Sequence, residues 1–385
     1  MIERKRQKLV LACTHSLGAK FLEGQIKFMS ENNFIVYVFS APGLEIEKLC
    51  KEEGAILIST PFTRVISPLS DLKCLLFLIK NLKEIQPDVI NTGTPKAGLL
   101  VCLAARLLGF KKTIFTLRGL RSETLYGMKK GLIKGMETLT CKLANYVLPI
   151  SPSLREHAIK EGILNNKKAF VLGKGSSNGV DVGKFSSSND IFSREKEREK
   201  LGIPKDSFVI SYIGRFNNDK GVPELFNAFK LLSFRHPNIF LLLVGRYEEE
   251  DSISDKLWEE IQNHPKVVVE GYRQDIRPIY ETLDLLVLFS KREGFGNILI
   301  EASSMGKPVI AHRIPGCVDA VKDCYSGFLV DSQQELLERI EQYITSIELV
   351  AQHGMQGREW VLNNFASEVI WNEQLKFYQK LLKKH

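Results

Sequence analysis

The chain has 385 residues, 44% of them hydrophobic and 25% charged, with 28 Gly and 14 Pro. That composition excludes a collagen-like, low-complexity or mostly disordered protein, and at roughly 100–200 residues per domain the length asks for two domains, or three. Lys and Arg number 53 against 45 Asp and Glu, a net charge of +8, which suits an anionic partner without saying whether that is nucleic acid, a lipid headgroup or a phosphorylated metabolite.

In chain order, short β-branched runs alternate with longer stretches of helical period, the pattern of parallel sheets wrapped by helices. Strands are predicted at residues 8–13, 34–40, 55–60, 88–92, 113–117, 146–150 and 169–172, with helices such as 20–31, 69–85 and 97–108 between them. Residues 185–200, Ser-rich and then Arg-Glu-Lys-Glu-Arg-Glu-Lys, read as a linker leading into a solvated helix. The alternation then resumes, with strands at 208–213, 239–244, 266–270, 285–289, 308–311 and 327–330 and a helical tail from Gln333 onward. Trp371, Leu375 and Tyr378 stand at helical spacing as core contacts of a terminal helix.

The predicted fold class is α/β, two Rossmann-like doubly wound domains facing an inter-domain cleft, with ligands at the carboxyl ends of the strands. The expected divisions are a first domain over 1–182, a linker and lead-in helix over 183–205, a second domain over 206–365, and a terminal helix over 366–385. The seven Cys form no C-x-x-C pair and several sit in apolar runs, so they read as buried free thiols of a reducing cytoplasm. The apolar run at 9–13 is shorter than the ~7 residues of a secretory h-region, and none approaches the roughly 18 of a membrane span. A soluble or peripheral protein is expected.

Two segments carry phosphate chemistry. After the strand at 208–213 comes Gly214-Arg215-Phe216-Asn217-Asn218-Asp219-Lys220-Gly221, with a helix starting near Pro223. Arg215 and Lys220 put two cations at a strand's carboxyl end, as a pyrophosphate requires, or they are solvated loop charges. After the strand at 285–289 comes Ser290-Lys291-Arg292-Glu293-Gly294-Phe295-Gly296-Asn297-Ile298-Leu299-Ile300-Glu301-Ala302. The glycines let backbone approach a ligand, and a helix starting near Asn297 points unpaired N–H groups at it. Glu293 and Glu301 lie roughly 80° and about 12 Å apart on helical geometry, too far for a joint acid/base pair but placed to grip two parts of an elongated ligand. Glu301 is either a solvated helix residue or, standing among apolar Ile298, Leu299, Ile300 and Ala302, a carboxylate that needs a partner.

The Glu293 to Glu301 spacing within Glu-Gly-Phe-Gly-Asn-Ile-Leu-Ile-Glu-Ala, preceded by Gly-Arg-x-x-x-x-Lys-Gly at 214–221, resembles the signature of retaining glycosyltransferases of family 4. The resemblance covers nearly the whole chain and implies the GT-B fold, whose terminal helix often crosses back to the first domain. The segments Thr94-Pro95-Lys96-Ala97-Gly98, Thr116-Leu117-Arg118-Gly119-Leu120-Arg121, Ile150-Ser151-Pro152-Ser153-Leu154 and Gly175-Ser176-Ser177-Asn178-Gly179-Val180-Asp181 are similar to the branch that builds bacterial capsule, O-antigen and exopolysaccharide. That branch implies a UDP-sugar donor and a polyprenyl-diphosphate-linked sugar acceptor, at the inner face of the plasma membrane.

Carried over by position, the resemblance gives Arg215 and Lys220 the donor diphosphate, Glu293 the donor sugar hydroxyls and Glu301 the ribose. It gives Gly294, Phe295, Gly296 and Asn297 the distal phosphate or sugar, and Gly18 a place in the loop facing the diphosphate from the first domain. Arg118 stands where many relatives have a catalytic His, so a cation stabilising the departing phosphate replaces a neutral imidazole base there. Lys96 and Arg121 fall to the acceptor or membrane side.

Glycosyl transfer develops negative charge on the diphosphate, which Arg, Lys and helix N-termini address. The sequence contains no Asp-x-Asp pair and no close His pair, so no metal and no cofactor is expected, and the nucleotide-sugar is a substrate. Residues 111–142 hold eight basic residues and two acidic ones, +6. There Leu125, Tyr126, Met128, Leu132, Ile133 and Met136 interleave with Lys129, Lys130 and Lys134, which is either a helix laid on an anionic membrane surface or an amphipathic helix packed on its own sheet. Gly173, Gly175 and Gly179 miss the dinucleotide fingerprint, no Walker motif occurs, and no nucleic-acid motif is present. A nucleotide-sugar 2-epimerase and a non-catalytic glycosyltransferase-like subunit stay open as alternatives.

Overall fold

The computed structural model describes residues 5–63, 65, 67–187, 191–248 and 252–383. Its elements in chain order begin with β1 (Gln7–Ala12), α1 (Gln25–Glu31), β2 (Phe34–Ser40), α2 (Leu44–Glu53), β3 (Ile56–Ser59), α3 (Pro68–Ile85), β4 (Val89–Thr92), α4 (Pro95–Leu107), β5 (Thr113–Leu117), α5 (Gly127–Leu143), β6 (Tyr146–Pro149) and α6 (Pro152–Lys160). They continue with α7 (Ile191–Lys200), β7 (Phe208–Phe216), α8 (Val222–Arg235), β8 (Ile239–Tyr247), α9 (Asp255–Asn263), β9 (Val267–Glu270), α10 (Arg277–Thr282), β10 (Leu285–Leu288), α11 (Asn297–Ser304), β11 (Val309–His312), α12 (Cys317–Ala320) and β12 (Gly327–Val330). Three helices follow, α13 (Gln333–Thr345), α14 (Ile347–Asn364) and α15 (Ser367–Lys383).

The chain forms two compact units, one running to Gly179 and resuming at Ser367, the other spanning Val180–Ala366. Each is built on a six-stranded sheet, in the orders β3-β2-β1-β4-β5-β6 and β12-β11-β10-β7-β8-β9, with every registered pair parallel. Read from its other edge, the second order repeats the first, so both units are doubly wound and reverse direction between their first and fourth strands. The central strands are covered on both faces, which is why their sequences are continuous apolar runs rather than alternating ones.

In the first unit, Leu9, Leu11, Val36 and Val38 pack under α1, α2 and α15, with Ile26, Met29, Ile46, Leu49, Leu375 and Tyr378 completing that core. Val10, Ala12 and Ile90 face the opposite way, under Cys74, Leu78 and Leu82 of α3 and Ala97, Val101 and Ala104 of α4. Right-handed crossovers dictate this split: chain progress from β1 toward β3 puts helices on one face, and progress from β3 back across to β6 puts them on the other.

Several boundaries differ from the sequence expectation. The stretch at 169–172 is not a strand: Ala169 makes one isolated bridge to Val147 and Phe170 N–H donates to the Val147 carbonyl at 2.9 Å, after which Gly173 (φ 53°) turns the chain away. The helix expected over 20–31 is two pieces, a 3-10 turn Ser16–Phe21 and then α1, split at Gly24. Gly24 has φ 76°, and a Cβ there would stand 2.3 Å from Cη2 of Trp371. β7 and β8 run three residues beyond the predicted strand ends, which puts Arg215 on the strand itself. The tail from Gln333 is three helices, with Ser346 capping the second through Leu349 N–H.

Ser188, Asn189 and Asp190 of the expected linker lie outside the described residues. The helix after them, α7, is not simply solvated: Arg198 is 1% exposed. Its guanidinium donates to the carbonyls of Thr282, Lys205 and Ser207 and to Asp284, and this set of partners is what lets a cation be buried. Six cysteines are free and buried, and Cys324 is free and exposed. Among the described residues no helix is long and apolar enough to cross a membrane.

Candidate functional site

In the second unit the sheet order reverses between β7 and β10, and the loops that leave these two strands carry both sequence motifs. A crevice outside the carboxyl ends at such a reversal is where doubly wound sheets bind ligands. The two loops are stitched together by backbone. Lys291 N–H donates to the Asp219 carbonyl at 2.8 Å, and Ser290 Oγ donates to the same carbonyl at 3.2 Å.

Lys220 lies at the end of a 3-10 turn capped by Asn217, whose Oδ1 accepts from Lys220 N–H at 3.1 Å. Its Nζ meets Glu293 Oε1 at 2.6 Å and the Arg292 carbonyl at 3.3 Å. The motif lysine and the motif glutamate, 73 residues apart in sequence, therefore form one ion pair. Arg215 instead reaches β8's end, where its Nη1 holds both carboxylate oxygens of Glu248 at 2.9 and 2.7 Å, and Asn217 Nδ2 donates to Glu248 at 3.0 Å. Glu248 has no motif around it. It is brought there by the β7–β8 pairing, which aligns Phe216 with Tyr247.

Past Glu293, the loop enters α11 through Gly296, which sits at φ 74°. Glycine has no side chain to cap a helix, so the first amides of α11 stay directed at whatever lies before them. Phe295 points the other way and is 1% exposed, edge-on to Phe365 at 5.1 Å. Behind the loop stands Gly316 (φ 87°), where a Cβ would press on the Gly294–Phe295 peptide at 2.7–2.8 Å. Asn297 Oδ1 is buried with no hydrogen-bond partner. One turn on, Glu301 Oε2 accepts from Tyr280 O–H at 2.7 Å, the partner its apolar setting demanded. Burial and the Glu301 charge together push the Tyr280 phenol up, so it stays a donor.

In the first unit the reversal falls between β1 and β4. Gly18 lies in the 3-10 turn after β1, where a Cβ would stand 2.8 Å from the Cys13 side chain. Arg118 leaves β5 and is held on three sides: Nε donates to Ser177 Oγ at 2.7 Å, Nη1 donates to the Gly93 carbonyl, and its carbon stands 4.7 Å from the Phe21 ring centre. Burial lowers its guanidinium to about 10, with Cys13 and Tyr378 opposing, so it is still a cation at neutral pH. Ser177 is in turn held by α15, since Gln374 Nε2 donates to its carbonyl at 3.2 Å.

The remaining candidates divide. Lys96 is mostly buried and turned inward onto Asp71 at 2.6 Å, Thr63 Oγ1 and the Val65 carbonyl, which makes it a fastener of the loop before α3. Lys134 pairs with Glu161 at 2.8 Å. Lys129 and Lys130 are exposed on α5. Arg121 is also exposed, while its backbone N–H and that of Ser122 donate to buried Glu137 at 2.6 and 3.3 Å. Glu137, Glu248, Gly316 and Tyr280 were not singled out from sequence, because each acquires its role only through a partner on another element.

Two family models match this chain: one described as "Glycosyltransferase Family 4" over residues 23–182, and one described as "Glycosyl transferases group 1" over residues 193–360. The capsular polysaccharide biosynthesis glycosyltransferase CapM of Staphylococcus aureus is 35% identical over 381 residues, covering 98% of each chain. An Escherichia coli protein named UDP-Gal:alpha-D-GlcNAc-diphosphoundecaprenol alpha-1,3-galactosyltransferase is 28% identical over 79% of each chain. The crystal structure of Anabaena Alr3699/HepE in complex with UDP and glucose superposes with a TM-score of 0.80 at 20% identity, over 97% of this chain and all of that one, a likeness of fold. With paired doubly wound units, a motif pair at the second unit's reversal point and a relative matched along the whole chain, this protein belongs to glycosyltransferase family 4, in its capsule and O-antigen branch.

Proposed function

We propose that this glycosyltransferase takes a sugar from a UDP-linked donor, with retention of configuration and without a metal ion. The acceptor in this reading is a polyprenyl-diphosphate-linked sugar used for bacterial surface polysaccharide. The observation that carries it is the Lys220–Glu293 pair at the head of α11. A cation, a carboxylate and free helix amides there meet the three needs of a diphosphate sugar: charge neutralisation, hydroxyl recognition and phosphate contact. The Escherichia coli relative, named for a UDP-Gal donor and a diphosphoundecaprenol acceptor, supports the same substrate classes.

In this reading Arg215 and Lys220 hold the diphosphate, and Gly294, Phe295, Gly296 and Asn297 face the distal phosphate or sugar through backbone. Glu293 contacts sugar hydroxyls and Glu301 the ribose. The resemblance also assigns Gly18 to the diphosphate and Arg118, still protonated at neutral pH, to the departing phosphate. Arg121, Lys129, Lys130 and Lys134 serve the acceptor phosphates and an anionic membrane surface, so the enzyme works at the cytoplasmic face as a peripheral protein. Lys96 serves that side only indirectly, by holding the loop before α3.

The test is transfer of labelled sugar from UDP-, GDP- and ADP-sugars into organic-extractable lipid, using purified protein and bacterial membranes with EDTA. Label entering lipid from UDP-sugar alone, at an undiminished rate in EDTA, is the expected result. Conversion of the donor with no acceptor present would point to epimerase chemistry. No turnover with any donor would point to a binding subunit.

A further inference from the structure

The helices α3, α4 and α5 link successive parallel strands, so they run side by side in one direction and all begin at the carboxyl edge of their sheet. On α3, Leu69, Leu72 and Leu76 fall within an arc of about 60° at 100° per residue, on the side away from the core. They are 78%, 53% and 60% exposed. At the start of α5, Tyr126, Met128 and Leu132 are 88%, 93% and 61% exposed. Both clusters therefore occupy the opening turns of their helices, at the same rim. Apart from Leu17, Leu44, Ile56 and Phe170, every large apolar side chain that the first unit exposes among its described residues lies in this layer or the loops entering it.

Charge at this rim is one-sided. Asp71 is taken by Lys96 at 2.6 Å, Glu123 lies 2.7 Å from His157, and Glu137 is buried against the Arg121 and Ser122 amides. Lys73, Lys129 and Lys130 stay exposed beside the two apolar clusters. Exposed large apolar groups ringed by lysines, with the local acids engaged by partners within the unit, are complementary to a surface that is apolar beneath and anionic above.

We propose that this rim is a two-point docking surface for an anionic lipid bilayer. The α3 leucine stripe forms one foot and the Tyr126–Met128–Leu132 edge of α5 the other, and Lys73, Lys129 and Lys130 meet lipid phosphates. With α4 between them the feet stand two helix spacings apart, roughly 16–20 Å, which fixes the tilt of the unit on the membrane as one helix cannot. This rests on the lipid-linked acceptor reading and adds to it a second helix and an orientation: the carboxyl edge of the first sheet, with Arg118 and Gly18, is held close to the headgroups.

The test is flotation of the full-length protein with phosphatidylcholine vesicles, with and without phosphatidylglycerol, measured without sugar. Variants are Leu72→Ser with Leu76→Ser on α3, Met128→Ser with Leu132→Ser on α5, and Lys73→Glu. The expected result is binding only to the anionic vesicles, a tenfold or greater loss for either serine pair, and weaker binding at higher salt for wild type. Unchanged flotation of the α3 pair overturns the proposal. So does analytical ultracentrifugation showing a wild-type dimer that the α3 pair converts to monomer, since a second copy would then cover the stripe. If sugar transfer into lipid fails while the α3 dependence holds, the function reading falls by itself; if transfer succeeds and α3 is dispensable, the docking surface falls by itself.

Discussion

Lys220 is paired with an anion of the chain itself, the Glu293 carboxylate at 2.6 Å, and Arg215 likewise holds Glu248. If these cations hold a diphosphate, as proposed, it must displace carboxylates that already pair them, so its affinity is a difference between two sets of contacts. Replacing Lys220 with Ala removes a charge-assisted contact of about 1.5–3 kcal/mol and is expected to weaken UDP binding by roughly 10–150-fold in calorimetry. Replacing Glu248 with Gln keeps the shape and the amide contact of Asn217 but deletes the competing charge. UDP is then expected to bind several-fold more tightly, and weaker binding would mean that the carboxylate aims Arg215 rather than occupying it. Lys220, Glu293 and Arg215 were legible in the sequence because the motif keeps them near glycines at strand ends. Glu248 was not, since its 33-residue separation from Arg215 closes only when β7 pairs with β8.

Elements were legible wherever one rule dominated. The apolar runs gave β2, β5 and β12 with the predicted bounds, since parallel strands covered on both faces leave a continuous apolar signal. The helix expected over 20–31 was misread because its break is set by Trp371, far along the chain, whose ring fills the space a Cβ on Gly24 would need. Gly24→Ala should therefore destabilise the first unit by about 2–4 kcal/mol, combining backbone strain with overpacking. A clearly lower thermal midpoint with UDP binding in the second unit retained is the expected result. The charged stretch before β7 is a helix as expected but only partly solvated, for a related reason: composition reports charge, while the carbonyls that accept from Arg198 belong to other segments.

For the whole molecule, the interruption of the first unit governs stability. α15 supplies Leu375, Tyr378 and Leu381 to a core otherwise built from α1, α2 and one face of the sheet from β2 to β6, and Asn91 Nδ2 donates to Tyr378 Oη at 2.7 Å in its interior. Tyr378→Phe leaves that buried amide without this partner, at a cost of about 1–3 kcal/mol. Hydrogen exchange should quicken across β1, β4 and β5 and stay unchanged in β7 through β12. Equal acceleration in both units would mean that they unfold as one.

The same interruption sets an order of events during synthesis. The second unit lies wholly between Gly179 and Ser367, so every element it needs has been translated before α15 is made. The first unit, translated first, cannot close its core until that helix arrives. The usual sequence in which the N-terminal domain finishes ahead of its successor is thereby inverted. A chain that stops before α15 contains every strand and helix of the second unit, while the sheet of the first still lacks its final cover.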